Sequence, residues 1–234
     1  MNKSRFISII IPTLNEANGL GQLLYHLDET MNKSLVEEII IVDGGSTDTT
    51  VEIAQTHDVK ILISEKKGRA RQMNLGAKNA SGSILYFLHA DTFPPKGFDH
   101  LIIEAVKNGY QAGCFRMRFD TKNPVLRFFA YLSRINHTLC RGGDQSLFIT
   151  KKSFIESKGF DTNYLIYEDT EFIRRLYQDF PFKILPEYVI TSARKYREKG
   201  WVKVQFHFAM IHLKNYRGAQ PNELYQYYER HLLT

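Results

Sequence analysis

Cysteine is scarce in this chain, and what is missing narrows the reading first. Only Cys114 and Cys140 occur, at no metal-ligand spacing and with no evident catalytic partner. A disulfide framework and a cysteine-built zinc site are therefore excluded, and two free thiols in a reducing compartment are expected. No apolar run approaches the ~18 residues of a membrane span, so no spanning helix is expected. The N-terminal run Phe6 to Ile11 stops at Pro12, too soon for the apolar core and cleavage site of a signal peptide. No G-x-G-x-x-G occurs, which leaves a nicotinamide cofactor without its fingerprint. Repeats and low-complexity tracts are also missing. At 234 residues, 43% hydrophobic and 24% charged, the chain is too apolar for disorder and long enough to bury a core. Its net charge of +6 comes with no recognisable nucleic-acid motif. The basic excess thus points to a phosphate-bearing substrate or an anionic membrane face, and not to nucleic acid. The expected location is cytoplasmic, with peripheral contact at the inner face of the membrane left open.

What is present is an alternation of short apolar runs and helical periodicities. Phe6 to Ile11, Glu37 to Val42, Val59 to Ser64 and Ile84 to Leu88 read as strands, the first ended by Pro12. Between them, Asn18 to Met31, a helix carrying Val51, Ile53 and Ala54, and Gly68 to Ala80 read as helices. Nearly continuous apolar strands alternating with helices predict a parallel, doubly wound α/β sheet flanked by helices. Right-handed crossovers then bring every strand-to-helix turn to one edge, where such sheets bind ligands. Thr13 to Glu16, Asp43 to Asp48 and Asp91 all fall on that edge. Further on, Phe98 to Asn108 reads as helix and Gly113 to Phe119 as a strand with one wet face. Val125 to Cys140 reads as an amphipathic helix with Arg127, Arg134 and His137. Ser146 to Thr150, Phe182 to Leu185 and Tyr188 to Thr191 read as strands, and a helix opens at Ile166-Tyr167-Glu168-Asp169. From Trp201 a helix is expected, although Val202, Val204, Phe206 and Phe208 also alternate with period 2. One domain over 1–234 is expected, divided near 6–95, 96–200 and a C-terminal helical extension at 201–234.

Each polar turn has an ordinary explanation beside the chemical one. Asp91 or Asp48 can cap a helix. Lys66, Lys67, Arg69 and Arg71 can form a solvated basic face. Glu168-Asp169 can be an acidic first turn favoured by the helix dipole. The chemical readings are equally concrete. A carboxylate after a buried strand can hold a hard divalent cation and, through it, phosphate oxygens. A carboxylate in a partly dry pocket can accept from a base N–H. Arg69 or Arg71 offers a planar donor fork.

Taken together, P-T-L-N-E at 12–16, V-D-G-G-S-T-D at 42–48, G-R-A-R-Q-M-N-L-G at 68–76, L-H-A-D at 88–91 and Y-E-D at 167–169 resemble the inverting family 2 glycosyltransferases. The resemblance runs from about residue 6 to 200. It implies a GT-A fold with a smaller, mixed acceptor-side part, a nucleotide-diphosphate-sugar donor, and Mn²⁺ or Mg²⁺. Carried onto this chain, it implies donor contacts at Pro12, Thr13, Glu16, Asp43, Gly44, Gly68, Arg69, Arg71, Asn74, Ala90 and Asp91. Asp91 matches the last position of the family's D-x-D and is the expected metal ligand. His89 stands where the first aspartate is common and is the second candidate, although histidine suits Mn²⁺ better than Mg²⁺. Asp169 is the expected base, with Glu168 beside it. Asp144 and Gln145 are expected on the side of an unidentified glycan, lipid or small-molecule acceptor, and Arg194 and Arg197 on the diphosphate. Two other readings stay open. A sugar nucleotidyltransferase needs a Gly-rich basic loop after the first strand, which P-T-L-N-E is not. A nucleotide-sugar-binding protein without catalysis is kept in view by His89. The amphipathic Val125 to Cys140 stretch and the basic, aromatic C-terminus either pack on the sheet or rest on a membrane.

Overall fold

A computed structural model describes residues 6–141 and 145–233; Asp144 lies outside them, as do Gly142 and Gly143. The elements in chain order are β1 Ile7–Thr13, α1 Ala17–Thr30, β2 Val36–Asp43, α2 Thr50–Gln55, β3 Lys60–Ile63, α3 Arg69–Asn79 and β4 Ile84–Phe87. They continue with β5 Thr92–Phe93, α4 Phe98–Lys107, β6 Ala112–Phe119, α5 Pro124–Leu132, β7 Leu147–Thr150, α6 Lys151–Glu156 and α7 Glu168–Asp179. Last come β8 Phe182–Thr191, α8 Arg194–Lys199, α9 Trp201–Tyr216 and α10 Pro221–Tyr228. The strands form one eight-stranded sheet in the order β3-β2-β1-β4-β7-β6-β8-β5. β3, β2, β1 and β4 are parallel. β7 runs antiparallel between β4 and β6, β8 runs parallel to β6, and β5 closes the edge antiparallel to β8.

Helices cover both faces, which is why β1 is buried along its whole length. Ile7, Ile9 and Ile11 pack with Leu20, Leu23 and Leu27 of α1 and Phe98 of α4. Ile10 points to the opposite face, with Met73 of α3 and Phe172 of α7, as the two-residue period of a strand requires. A side chain at Gly76 would place its Cβ 2.5 Å from Ile10 Cγ2. Glycine there is what lets α3 lie directly on β1.

The strand boundaries differ from the sequence reading at Pro12, which does not end β1. Ile10 accepts from Leu88 N, and β4 is paired with β1 only up to Ile10 and Phe87. Pro12 points the same way as Ile10, to a side that β4 has already left, so its missing N–H breaks no ladder. The strand therefore carries on to Thr13 and delivers it to the sheet edge beside Asp43.

The amphipathic stretch from Val125 ends sooner than expected. Asn123 caps α5 by accepting from Val125 N and Leu126 N, with Pro124 at the first helical position. The helix stops at Leu132 because the buried Arg141 guanidinium gathers the carbonyls of Ser133 and Ile135. Only a short turn, Thr138–Cys140, is helical again. The two expected strands at 182–185 and 188–191 are one strand. Its register jumps where Pro186 and Glu187 bulge, from Leu185 opposite Phe115 to Tyr188 opposite Arg116. Beyond it, α5, α8, α9 and α10 share a small cluster that includes Leu126, Tyr196, Val204, Ile211 and Leu224. Period 2 at Val202 to Phe208 is not realised; α9 takes that segment.

Candidate active site

The first two strand-to-helix turns are laced together by hydrogen bonds. Asp43, at the tip of β2, is 2% exposed. Its Oδ2 accepts from Gly45 N and Ser46 N, both at 2.8 Å, and its Oδ1 from Ser46 Oγ and Thr13 Oγ1. Gly44 N donates to Thr13 O at 2.9 Å. Beneath them Gln72 of α3 donates its amide to Thr13 O at 2.8 Å and Val42 O at 2.7 Å. A Cβ at Gly44 would come within 3.0 Å of that amide, so the turn needs glycine to sit on Gln72. Asn15, at φ 55°, accepts from Thr47 N at 2.8 Å, and its own N–H donates to Ser46 Oγ at 2.9 Å. Asp48 accepts from Ala17 N and Thr50 N. It ties the second turn to the first helix, a capping role, while Asp43 stands at the strand tip.

The second polar cluster forms where β4 ends and α7 begins. Tyr167 takes φ 70°, a conformation that bulky residues rarely adopt and that clusters at functional sites. Glu168 and Asp169 follow as the first turn of α7, beside Glu171, where the helix dipole favours carboxylates. His89 Nε2 lies 3.6 Å from Asp169 Oδ2, and Arg69, the first residue of α3, lies 3.3 Å from Glu168 Oε1 and 3.8 Å from Asp169 Oδ2. Burial raises the Glu168 carboxyl to about 7 against the pull of Arg69. Burial also works to raise Asp169, but a hydrogen bond from His89 and the charges of His89 and Arg69 outweigh it and hold the group below its ordinary range. Two adjacent carboxyls are thus driven apart, one toward the proton and one toward the anion. Glu168 Oε1 is buried without a hydrogen bond.

Glu16 joins the two clusters. Its carboxylate is 3.3 Å from Arg194 of α8. Burial raises its pKa, Arg194 lowers it, and the charges of Asp91 and Arg69 reach it as well. Arg194 in turn feels Glu16 and Asp91. Asp91 is positioned from the far edge of the sheet: Ser192 N donates to Asp91 O at 3.2 Å, and Thr92 Oγ1 donates to Thr191 Oγ1 at 3.1 Å. Ala90, beside it, is buried. The structure therefore brings Glu16, Arg69, His89, Asp91, Glu168, Asp169 and Arg194 into one charged cluster, next to the Thr13–Asp43 turn that also holds Pro12 and Gly44.

Other expected residues are engaged elsewhere. Asn74 is bonded to the Phe160 backbone through both amide atoms, at 2.8 and 3.0 Å, and ties α3 to the loop before α7. Arg197 pairs with Asp120 at 3.1 Å. Gln145 is 4% exposed and accepts from Arg141 while donating to Cys140 O at 2.7 Å. Gly68, at φ 132°, turns the chain into α3, and Arg71 leaves a buried Nε without a partner. Sequence reasoning did not single out Gln72 or Asn15, and read Ser46 only as a candidate helix cap. Only the helical spacing of Gln72 with Met73 and Gly76 hinted that this amide faces the sheet.

Among the described residues, no group of three or more His, Cys, Asp and Glu side chains gathers to hold a metal ion. His89 is turned to Asp169. The Asp91 carboxylate accepts no hydrogen bond from the described residues, and its charge reaches Glu16 and Arg194. A carboxylate that accepts no hydrogen bond from the described residues suits Mg²⁺ or Mn²⁺, which take their remaining ligands from phosphate oxygens and water.

Known proteins share both the sequence and the fold. The chain matches the family model described as Glycosyl transferase family 2 over residues 8–159. It is 37% identical over 108 residues to the Dolichol-phosphate mannosyltransferase of Pyrococcus furiosus, covering 44% of this chain and 30% of that relative. It is 26% identical over 206 residues to the Dolichyl N-acetyl-alpha-D-glucosaminyl phosphate 3-beta-D-2,3-diacetamido-2,3-dideoxy-beta-D-glucuronosyltransferase of Methanococcus voltae, covering 76% of this chain and 60% of that one. The chain thus spans less than two thirds of these relatives. Residues 1–349 of S. aureus TarS, in complex with UDP, superpose with a TM-score of 0.68 at 18% identity, over 80% of this chain and 60% of that one. Glucosyl-3-phosphoglycerate synthase from Mycobacterium tuberculosis, solved with Mn²⁺ and UDP, gives 0.61 at 16% identity, over 80% of this chain and 70% of that one. The family match runs from β1 through the Asp43 and Asp91 turns, on a sheet shared with solved GT-A structures, and the chain accordingly belongs to the family described as Glycosyl transferase family 2.

Proposed function

We propose that this glycosyltransferase moves a sugar, with inversion, from a nucleoside-diphosphate-sugar to an acceptor hydroxyl, with Asp169 as the base. The observation that carries the reading is the pair of buried Glu168 and partly buried Asp169, with Asp169 held toward its anion by His89 and Arg69, in the charged cluster that also contains Asp91. The acceptor oxygen bonds to the anomeric carbon as the carbon–oxygen bond to the diphosphate breaks, and the diphosphate leaves with that electron pair. The acceptor proton passes to Asp169, a single carboxylate on the face opposite the leaving group. Glu168, the more easily protonated of the two, keeps a second negative charge away from the base and offers a hydrogen bond to the bound sugar or acceptor. His89 orients Asp169, which accounts for histidine at the first D-x-D position without making it a metal ligand.

On the donor side, the Asp43 turn with Thr13, Gly44 and Pro12 meets the base and ribose. Arg194, exchanging Glu16 for phosphate, steadies the diphosphate, with Arg69 and Arg71 as further donor contacts. A divalent cation, Mn²⁺ or Mg²⁺, held by Asp91 would neutralise charge on the departing diphosphate. The UDP named in the TarS and glucosyl-3-phosphoglycerate synthase structures supports a uridine donor. On the acceptor side, Gln145 is held by Arg141, and Asp144, outside the described residues, is carried over from the sequence as an acceptor contact.

The relatives' names favour a second acceptor class, a polyprenyl phosphate. A phosphate arrives already ionised and needs no base, so one variant separates the two. Purified protein is given a panel of nucleotide sugars with Mn²⁺, and nucleoside diphosphate release is measured with and without acceptor. Asp169→Asn is expected to abolish transfer to hydroxyl acceptors while donor binding stays intact. Retained transfer to a prenyl phosphate would support the second class, and equal loss of binding and transfer would remove Asp169 from its role.

A further inference from the structure

Helix α9 buries one side and leaves an apolar stripe on the other. Val204 and Ile211 face the C-terminal cluster. Val202, Phe206, Ala209, Leu213 and Tyr216 follow at steps of four and three residues, all of them exposed. Val202 is 73% exposed, Phe206 58% and Tyr216 87%. Single exposed apolar residues are common on soluble proteins, but a continuous stripe opposite the buried face of a helix marks a docking surface.

The charges beside the stripe indicate what docks there. From Lys199 to Asn222 the chain has no acidic residue, and its charged side chains are Lys199, Lys203, Lys214 and Arg217. A second copy laid on this stripe would bring lysine and arginine against lysine and arginine, which disfavours a symmetric pair. An anionic lipid surface accepts both the apolar stripe and its basic margins. With 16 residues, α9 is about 24 Å long, and no helix among the described residues is long and apolar enough to cross a membrane. A short helix with an apolar face and basic flanks lies in the plane of the interface. The pattern recurs in α5, where Leu126 packs inward on the same cluster while Phe128 and Tyr131 are exposed beside Arg127 and Arg134. Helix α9 is also tied to the charged cluster: His212 Nδ1 lies 2.9 Å from the hydroxyl of Tyr167, the residue just before Glu168.

We propose that the Val202–Tyr216 face of α9 is a docking surface for an anionic lipid bilayer. It stands independently of which acceptor the enzyme uses. The test is co-sedimentation of the full chain with vesicles of phosphatidylcholine alone or mixed with phosphatidylglycerol. The proposal expects at least about tenfold more bound protein on the anionic vesicles, falling as salt rises. Val202→Ser, Phe206→Ser and Leu213→Ser combined are expected to lose that binding while keeping the wild-type melting profile and donor hydrolysis. Lys203→Glu with Arg217→Glu, a gentler change, is expected to lose the preference for anionic lipid. Vesicle binding that is absent, or equal on both compositions, would overturn the proposal. So would a concentration-dependent dimer that the triple variant converts to monomer without any change in vesicle binding. Donor hydrolysis in the same samples reports on the proposed chemistry separately, so either reading can fail alone.

Discussion

Asp43 and Asp91 follow the two strands that flank β1, yet the chain surrounds them in opposite ways. Asp43 is buried and takes hydrogen bonds from two backbone N–H groups and two hydroxyls of its own turn and its neighbour. Asp91 accepts none from the described residues, and its charge reaches Glu16 and Arg194. A group that must present a fixed shape to a flat, neutral partner gains from being held in place before binding. A group that meets a cation and a diphosphate gains from being left open, because those partners supply the missing contacts. The nearby Glu168–Asp169 pair mixes the two designs. Glu168 is buried like Asp43 and Asp169 partly so, and the side chains of His89 and Arg69 lie against them.

The sharpest way to break this comparison is at Asp169. Asp169→Asn is expected to reduce transfer by at least about 10²-fold while leaving donor affinity, read by calorimetry, nearly unchanged. Next come the two strand-end aspartates. Asp43→Ala strands several donors and is expected to cost about 2–3 kcal/mol in a urea melt, together with donor binding. Asp91→Ala strands none and is expected to change stability by less than about 0.5 kcal/mol while metal-dependent donor turnover disappears. Similar stability losses for the two would erase the distinction.

A pH series tests the mixed pair. The Glu168 carboxyl is raised in the fold from 4.5 to about 7, so the folded protein binds a proton that the unfolded chain has released. Stability at this group is therefore present below the lower value and is lost as pH rises through that window. Asp169, lowered from 3.8, gives stability that is lost only as pH falls below its ordinary value. Thermal melts from pH 4.5 to 7.5 should show Glu168→Gln gaining on the wild type as pH increases; parallel curves would mean that Glu168 is not protonated in the fold. The smallest effect belongs to Glu16→Gln. It breaks a partly exposed pair with Arg194 and is expected to shift stability by less than about 1 kcal/mol, as a urea melt would show.

How much of this could be read from the chain depended on range. The parallel core was legible because β1, β2 and β4 are short apolar runs that only a sheet covered on both faces explains. The convergence of Thr13, Asp43 and Asp91 followed from the handedness of the crossovers. Neighbours set by distant pairing were not legible. The single strand β8 crosses Pro186, which reads as a break, and only the partner strand β6 shows that it is a bulge. Helix α5 ends where the Arg141 guanidinium collects carbonyls, and Arg141 lies beyond the helix it stops. The contact of His89 with Asp169 depends on β4 and α7 meeting in space, and no local spacing announces it.

The pairing of β5 with β8 has a consequence for the order in which the protein is made. Asp91 is placed by a two-residue strand whose partner, Thr191 and Ile190, is synthesised nearly a hundred residues later. Arg194 follows that partner directly. As the chain leaves the ribosome, β1 to β4 can pair and cover themselves with α1 and α3, so the Thr13–Asp43 turn is complete early. The Asp91–Arg194 end of the charged cluster has to wait for a long-range contact of the kind that forms slowly. A nascent chain is thus able to shape its Thr13–Asp43 turn well before Asp91 and Arg194 are brought together.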